Sequence, residues 1–255
     1  MRILTWNILH GGGRHRLPHL LMAMLDLEPD VIVVTEARRR FAGQLAAALA
    51  DAGLSHHLHT DPPDNVNGVL LVSRFPLQRT ARPDLPECLR YRWIEAELPE
   101  AGLPEAGLAI AGVHLAEAAK RTEHTLGWRT LLRAARARRD LPFAIAGDLN
   151  AWRVEGGGRS GPAATNFGRL TALGYTDAWA ASHPDSPGDT WSDHAGRAYR
   201  LDYVLLSKPL AGALREAQIA HVSRANGLSD HAALVVELDE ITPVAPTPEP
   251  KSSSK

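Results

Sequence analysis

The feature of this sequence that most restricts its fold is a continuous β-branched run, Val31 to Val34. A strand with one face in water alternates apolar and polar residues, so an unbroken apolar run predicts a strand buried on both faces. Such a strand needs a covering layer on each side. Apolar residues at helical spacing precede the run from Leu17 to Leu27, and a second helical face with Phe41, Leu45 and Leu49 follows it. The sequence therefore predicts an α/β protein.

The rest of the chain continues this alternation and then changes it. Short strands separated by Pro and Gly are predicted at 68–73, 77–82, 93–98 and 108–114. A second series follows, with helices at 120–139 and 167–173 and strands at 141–147, 199–207, 217–222 and 232–238. We interpret residues 1–241 as one catalytic domain. The tail at 242–255 is rich in Pro, Ser and Thr and has too few apolar residues to bury itself, which predicts disorder.

Composition excludes several classes of protein. The net charge of −1 gives no long-range field of the kind that marks many nucleic-acid binders. Cys88 is the single cysteine, so no internal disulfide is expected, and we interpret it as a packing residue. No apolar run reaches the ~18 residues of a membrane span, and the chain starts directly with a strand pattern rather than a signal peptide. A cytoplasmic location is expected, and no protein partner is implied.

Polar residues follow the apolar strands where those strands end. Asn7, Glu36, His114, Asp148 and Asn150 each close or directly follow a predicted strand. One such residue carries little information, because Asn and Asp favour turns. Five of them after successive buried strands indicate a site at the edge of the sheet, where α/β proteins build their sites.

A carboxylate inside a late apolar strand predicts a further part of the site. Asp202 lies within the 199–207 strand, and a buried carboxylate must be paired or hydrogen-bonded. His231, in Ser229-Asp230-His231 before the last strand, is a suitable partner. An Asp–His pair fixes the tautomer of the imidazole and supports its cationic form.

These segments resemble the endonuclease/exonuclease/phosphatase superfamily, which includes exonuclease III and deoxyribonuclease I. The resemblance extends over residues 1–239 and keeps the order of the family's motifs. The matching segments are Trp6-Asn7, the stretch 29–36 that ends at Glu36, Gly112-Val113-His114-Leu115, Gly147-Asp148-Leu149-Asn150, Arg200-Leu201-Asp202-Tyr203 and Ser229-Asp230-His231.

The resemblance implies a four-layer α/β/β/α sandwich of two packed mixed sheets with outer helices. It also implies a metal-dependent phosphoester hydrolase, with Mg²⁺ held mainly by Glu36 and with Asn7 beside it. Asp230 would hold a second metal or a water, and Mn²⁺ is expected to substitute for Mg²⁺. Oxygen ligands suit these hard cations. The chain has no paired cysteines, which argues against a cysteine-ligated zinc site.

The same resemblance suggests roles for the catalytic residues His114, Asp148, Asn150, Asp202 and His231. Asp148 would orient or deprotonate the attacking water, with Asn150 fixing its carboxylate. His231, held by Asp202, would donate to a phosphate oxygen, and in an alternative assignment that pair is the base. His114 would bind the phosphate or protonate the leaving group.

Departures from the family's motifs bear on the substrate. The abasic-site and exonuclease III branch has Asp, Tyr and Trp where this chain has Leu9, His114 and Tyr199. These changes point away from an abasic-site repair enzyme and favour the branch that includes nonspecific nucleases, sphingomyelinases and other phosphodiesterases. The leading hypothesis is a nuclease acting on DNA or RNA. The alternative is a phosphodiesterase or phosphatase for a small-molecule or lipid phosphate ester. A catalytically inactive module would have lost site residues, and a Ser hydrolase would need a Gly-x-Ser-x-Gly elbow, which is absent.

Candidate substrate contacts are Arg38, Tyr199 and Trp191. Arg38 follows Glu36 closely enough to reach a second phosphate, and the tryptophans Trp191 and Trp152 are candidates for stacking on bases. The segment 129–139 is a basic helix with Leu on one side. We interpret it as an outer helix with a solvated Arg face.

Overall fold

The computed structural model describes residues 1–82, 84–99, 101, 107–152 and 162–239. The predicted disordered tail, 242–255, lies outside these ranges. Among the helices in them, none combines the length and the apolar character that crossing a bilayer requires.

Seven helices and fourteen strands are described in these ranges. The helices are α1 Gly13–Leu25, α2 Arg39–Asp51, α3 Arg121–Arg138, α4 Pro162–Ala172, α5 Ala178–Ser182, α6 Lys208–Ala211 and α7 Val222–Ala225, with a 3₁₀ turn at Glu87–Leu89. The strands are β1 Arg2–Asn7, β2 Val31–Thr35, β3 His56–His59, β4 Val69–Ser73, β5 Gln78–Arg79, β6 Trp93–Leu98, β7 Leu108–His114, β8 Phe143–Asp148, β9 Thr176–Asp177, β10 Trp191–Ser192, β11 Ala198–Tyr199, β12 Asp202–Leu206, β13 Leu214–Ala220 and β14 Ala233–Leu238.

The strands form two mixed six-stranded sheets and a short ribbon. The first sheet has the order β13-β14-β1-β2-β4-β3, and the second has the order β5-β6-β7-β8-β12-β9. In each sheet one central pair is parallel: β1 with β2, and β7 with β8. Strands β10 and β11 form the ribbon. Because the carboxyl ends of a parallel pair share one edge, each sheet brings two strand ends together there.

Three apolar clusters separate the layers. The two sheets pack face to face through residues such as Val31, Val33 and Ile110. The neighbours Ile32 and Val34 point the opposite way, into the cluster under α1 and α2. A third cluster lies under α3 and α4, on the outer face of the second sheet. The predicted four-layer sandwich is confirmed, and the run at 31–34 is continuous because β2 is covered on both faces.

One predicted strand is divided in the structure, and strand β3 was not predicted. The predicted strand 199–207 is two strands, β11 and β12, with Arg200 between them. The guanidinium of Arg200 is buried and donates to Asp177 at 2.7 Å and to the carbonyl of Pro187 at 2.9 Å, so the chain leaves the ribbon there. Strand β3 was not predicted, because its His56-His57-Leu58-His59 sequence lies at a sheet edge and has no apolar run.

Candidate active site

A cleft of about 670 Å³ opens where β1, β2, β7 and β8 end. It collects almost all of the predicted site residues. Those on its lining are Asn7, Glu36, His114, Asp148, Asn150, Trp152, Trp191, Tyr199, Asp230 and His231. Asp202 lies behind His231 and is fully buried.

Unusual backbone conformations place the acidic groups at this edge. Glu36 and Asn150 have φ angles of 57° and 46°, in the left-handed region that non-glycine residues seldom adopt. Such conformations cost on the order of 1–3 kcal/mol each and cluster at functional sites. Gly147 has φ 142°, and a Cβ there would lie 1.9 Å from the carbonyl oxygen of Val113. Only glycine therefore allows β7 and β8 to approach closely beside Asp148.

Asn7 connects the two carboxylates of the cleft. Its Nδ2 donates to Asp148 Oδ2 at 3.0 Å and contacts Glu36 Oε1 at 3.4 Å, while its Oδ1 accepts the backbone N–H of Leu9 at 3.1 Å. The other oxygen of Glu36 accepts the backbone N–H of His10 at 2.8 Å. Because Asn7 belongs to the first sheet and Asp148 to the second, this amide also joins the sheets at the site.

Asp148 is buried and firmly oriented. It accepts the backbone N–H of Asn150 at 2.8 Å, and the Asn150 side chain is fixed by a 2.9 Å bond to the carbonyl of Leu115. Burial, with a contribution from the nearby Asp202, raises the pKa of Asp148 to about 7, although His231 and the hydrogen bonds from Asn150 and Asn7 oppose the rise. A carboxylate with such a pKa suits proton transfer near neutral pH.

The predicted pairing of His231 with Asp202 is present. His231 Nδ1 lies 2.7 Å from Asp202 Oδ2, and both side chains are buried. Burial alone would lower the pKa of His231, but the charge and hydrogen bond of Asp202 outweigh it and raise the pKa to about 9, with help from Asp148 and Asp230. The imidazole is therefore cationic at neutral pH, with its Nδ1–H directed to Asp202.

His114 lies on the opposite side of Asp148 and has the opposite electrostatics. Its Nε2 is 3.8 Å from Asp148 Oδ2. Burial, followed by the positive charges of Arg92, His231 and Lys120, lowers the pKa of His114 well below its ordinary value. The ring is therefore neutral, and it offers the cleft one N–H donor rather than a fixed positive charge.

The candidate substrate contacts lie in different places. The rings of Tyr199 and Trp152 are 5.0 Å apart and those of Tyr199 and Trp191 are 6.0 Å apart, forming an aromatic wall. Trp191 also donates to Asp230 Oδ2 at 3.1 Å. Arg38 does not line the cleft. Its Nε donates at 3.0 Å to Asn67, which does line it, so direct contact of Arg38 with a phosphate stays a prediction.

Two cations of the cleft were not predicted from the sequence. Arg92 and Lys120 line it beside His114. Neither has a carboxylate partner within the described ranges. Their sequence surroundings are a turn before β6 and a helix start, which look like any solvated surface, and no motif distinguished them.

Thr190 is a third residue that sequence reasoning missed. It is fully buried, and its hydroxyl oxygen accepts the backbone N–H groups of Leu201 at 3.0 Å and Asp202 at 3.2 Å. Its carbonyl accepts the N–H of Ala232 at 2.7 Å, directly after His231. One residue thus ties the strand start that carries Asp202 to the strand start that carries His231.

We expect Thr190→Val to lower kcat by about tenfold to 100-fold, since a small misplacement of catalytic groups is costly. It should also lower the free energy of unfolding by about 1–3 kcal/mol, because two buried N–H groups lose their acceptor. Thr190→Ser keeps the hydroxyl and should retain both properties. Hydrolysis of bis-p-nitrophenyl phosphate and urea unfolding measure the two effects. If the Ser variant were as impaired as the Val variant, the hydroxyl and its two hydrogen bonds would not be sufficient to explain the role of Thr190.

Comparisons with known proteins identify the family of this chain. The model of the Endonuclease/Exonuclease/phosphatase family matches residues 4–231. A 3′ phosphatase from Neisseria, solved with its product DNA hairpin, is 24% identical with a TM-score of 0.77, and 94% of this chain and 99% of that chain are covered. A 3′-5′ exonuclease from Neisseria meningitidis is 24% identical with a TM-score of 0.76, covering 94% and 100% of the two chains.

An AP endonuclease from Archaeoglobus fulgidus is 18% identical with a TM-score of 0.78, over 94% of this chain and 99% of that one. At these identities the structural likeness establishes the fold alone. A search of curated proteins found no match. The family model, however, extends from β1 to His231 and includes every motif that was recognised in the sequence. The chain belongs to the Endonuclease/Exonuclease/phosphatase family of phosphoester hydrolases.

Proposed function

We propose that this protein is a Mg²⁺-dependent phosphodiesterase, most simply a nuclease that cleaves DNA or RNA by attack of water. The observation that carries the proposal is the contact of one Asn7 amide with both Glu36 and Asp148, beside the His231–Asp202 pair. This arrangement combines oxygen ligands for a cation, an oriented carboxylate and a cationic donor within one cleft.

The donor set of the cleft fits a hard divalent cation. Glu36 and Asp230 offer carboxylate oxygens on the cleft lining, and Asn7 lies beside Glu36. When bound there, Mg²⁺ would neutralise charge on the phosphate and lower the pKa of a bound water. A competing group exists: oxygen or nitrogen atoms of Asp148, Asp202 and His231 lie within 4.8 Å of one another. We assign the cation to Glu36, because a protonated His231 is hydrogen-bonded to Asp202 and a cation would have to displace that proton.

The chain's own residues then divide the work of hydrolysis. Asp148, held by Asn7 and Asn150, orients the attacking water and accepts its proton. His231, held by Asp202, donates to a non-bridging phosphate oxygen as negative charge develops there. Neutral His114, on the other side of Asp148, donates a hydrogen bond to the phosphate. The raised pKa of His231 favours this division over the alternative in which His231 is the base.

The lining of the cleft supports a nucleic-acid substrate. Arg92 and Lys120 add positive charge to the cleft lining, and Trp152, Trp191 and Tyr199 add aromatic rings to it. Phosphates and bases need these two kinds of surface, and stacking contributes roughly 1–3 kcal/mol per base without sequence preference. A small or lipid phosphate ester would use the charged side alone.

We expect phosphodiester cleavage without abasic-site preference, because Leu9, His114 and Tyr199 replace the residues of the repair branch. The measurement compares two otherwise identical duplexes in Mg²⁺, one with a single tetrahydrofuran abasic analogue. An excess of ~100-fold or more at the analogue, ~2.7 kcal/mol of discrimination, would identify a repair enzyme instead. Single-stranded DNA, RNA, bis-p-nitrophenyl phosphate and p-nitrophenyl phosphate complete the panel. Cleavage of the small esters alone would identify the alternative substrate class.

A further inference from the structure

A second depression, as large as the active-site cleft, lies on the outer helical layer of the second sheet. Its volume is about 690 Å³, and α3, α4 and the segment around Asp84 enclose it. Four arginines stand around it, and apolar side chains form its floor. The arginines are Arg129, Arg133, Arg136 and Arg169, and the apolar residues are Pro86, Leu126, Leu132, Ala172 and Leu173. We call this depression the arginine groove.

The charge in the arginine groove is largely unbalanced. Arg129, Arg133 and Arg136 follow the i, i+4, i+7 spacing that puts side chains on one helix face. Arg133 pairs with Asp84 at 2.7 Å, but Arg129 and Arg136 have no carboxylate partner within the described part of the chain. On the same helix, Arg138 shows the opposite behaviour, since it is paired with Glu95 at 2.9 Å and Glu97 at 3.3 Å.

A solvated helix face explains arginines on one helix, but here arginines of two helices line one concavity. Arg169 comes from a different helix, α4, and lines the same groove as the row on α3. The whole chain has a net charge of only −1, so this local excess of positive charge is not a property of the surface in general. Exposed guanidinium groups that line one groove suit phosphate groups, which accept their forked hydrogen bonds.

The groove also lies on a path from the active-site cleft. Lys120 lines the cleft, and α3 begins at the next residue. At 1.5 Å per residue, the helix carries the chain roughly 14 Å from Lys120 to Arg129 and roughly 24 Å to Arg136. A flexible single strand that leaves the cleft can follow this flank, whereas duplex DNA, with a persistence length of about 150 base pairs, is too stiff to do so.

We infer that the arginine groove binds the phosphate backbone of a single-stranded nucleic acid that extends from the active-site cleft. This inference rests on the proposed function for its ligand class. In this role α3 helps to bind long substrates, and hydrolysis in the cleft does not require it.

The test replaces Arg129, Arg133 and Arg136 together with glutamine, which keeps helix propensity while it removes three charges. Binding of a single strand of about 20 nucleotides is measured by fluorescence anisotropy in EDTA, so that the strand is not cut, over a series of salt concentrations. We expect the dissociation constant to rise about tenfold or more. The slope of log affinity against log salt should fall by about 2, since each phosphate contact on a single strand contributes about 0.7.

A matched control removes the same number of charges elsewhere. Arg2, Arg74 and Arg215 are paired with carboxylates at the end of the first sheet that lies away from the cleft, and their replacement by glutamine gives the same net charge. The control variant should bind the long strand as the wild type does. Both variants should bind a trinucleotide equally and hydrolyse bis-p-nitrophenyl phosphate at the wild-type rate.

The outcomes separate the groove from the proposed function. If the two triple variants lost the same affinity for the long strand, net charge alone would explain the effect and the inference would be overturned. Unchanged long-strand binding in the groove variant, with phosphodiester hydrolysis intact, would overturn the inference and leave the proposed function standing. A wild-type protein that binds anionic phosphatidylserine vesicles but no single strand would assign the groove to a different partner and also overturn it. Absence of phosphodiester hydrolysis in the wild type would instead refute the proposed function.

Discussion

Glu36→Gln is expected to lower phosphodiester hydrolysis about 10³-fold, corresponding to the several kcal/mol that a bound cation supplies to such reactions. The fold should survive, because the glutamine side chain still offers an acceptor to the backbone N–H of His10. EDTA should abolish activity of the wild type, and Mg²⁺ or Mn²⁺ should restore it. Rates with bis-p-nitrophenyl phosphate measure both effects.

Glu117→Gln provides the control for this experiment. Glu117 also lines the cleft, but among the described residues it makes no hydrogen bond to Asn7 or Asp148. Its replacement should change the rate by less than about threefold, as a surface charge normally does. Full wild-type activity in EDTA would refute the metal assignment. An equal loss in the two variants would show that the cleft responds to its total charge and not to Glu36.

Asp202→Asn and His231→Ala are each expected to lower kcat about 10³-fold to 10⁴-fold, and the double variant should be no worse than the more impaired single variant. Asparagine at 202 would accept from only one tautomer of His231 and would no longer support its cationic form. Residues that act as one unit give such non-additive losses. His183→Ala removes an imidazole that stacks on Trp179 outside the cleft and serves as the control.

Mn²⁺ binding measured by calorimetry on the same variants distinguishes the two possible cation positions. If Glu36 holds the ion, Glu36→Gln should lose binding and His231→Ala should keep it. The reverse result would place the ion among Asp148, Asp202 and His231. If the loss of kcat in the double variant equalled the product of the losses in the two single variants, this result would argue against a functional His231–Asp202 pair.

The parts of the site that were predictable from the sequence are those whose chemistry conflicts with their surroundings. Asp202 within an apolar strand needed a partner, and the structure pairs it with His231. Polar residues directly after buried strands were predicted to meet at one sheet edge. The structure divides them between the edges of two packed sheets, where Asn7 of the first sheet contacts Asp148 of the second. In each case the sequence contains a polar residue next to or within an apolar strand, and such a residue is unusual enough to indicate a site.

The remaining parts of the site depend on contacts between segments that are distant in the sequence, and local sequence patterns do not predict such contacts. Thr190 acts through its position between two strand starts, and a threonine before a tryptophan has no distinguishing signal. Arg92 and Lys120 enter the cleft because β6 and α3 happen to border it. Arg38 was expected to reach the substrate because it follows Glu36 closely in the sequence. Its Nε donates to Asn67 of the cleft lining, and its contact with a phosphate stays a prediction.

The position of β1 between β2 and β14 has a consequence for how the protein is made. During synthesis β1 is made shortly before β2 and can pair with it on one side, but its other partner, β14, is made more than 200 residues after β1. Until then β1 keeps one edge unpaired, and such edges favour association with other chains. The same delay keeps His231 away from Asn7 and Asp202. The candidate cleft is therefore assembled only after β14 has been synthesised.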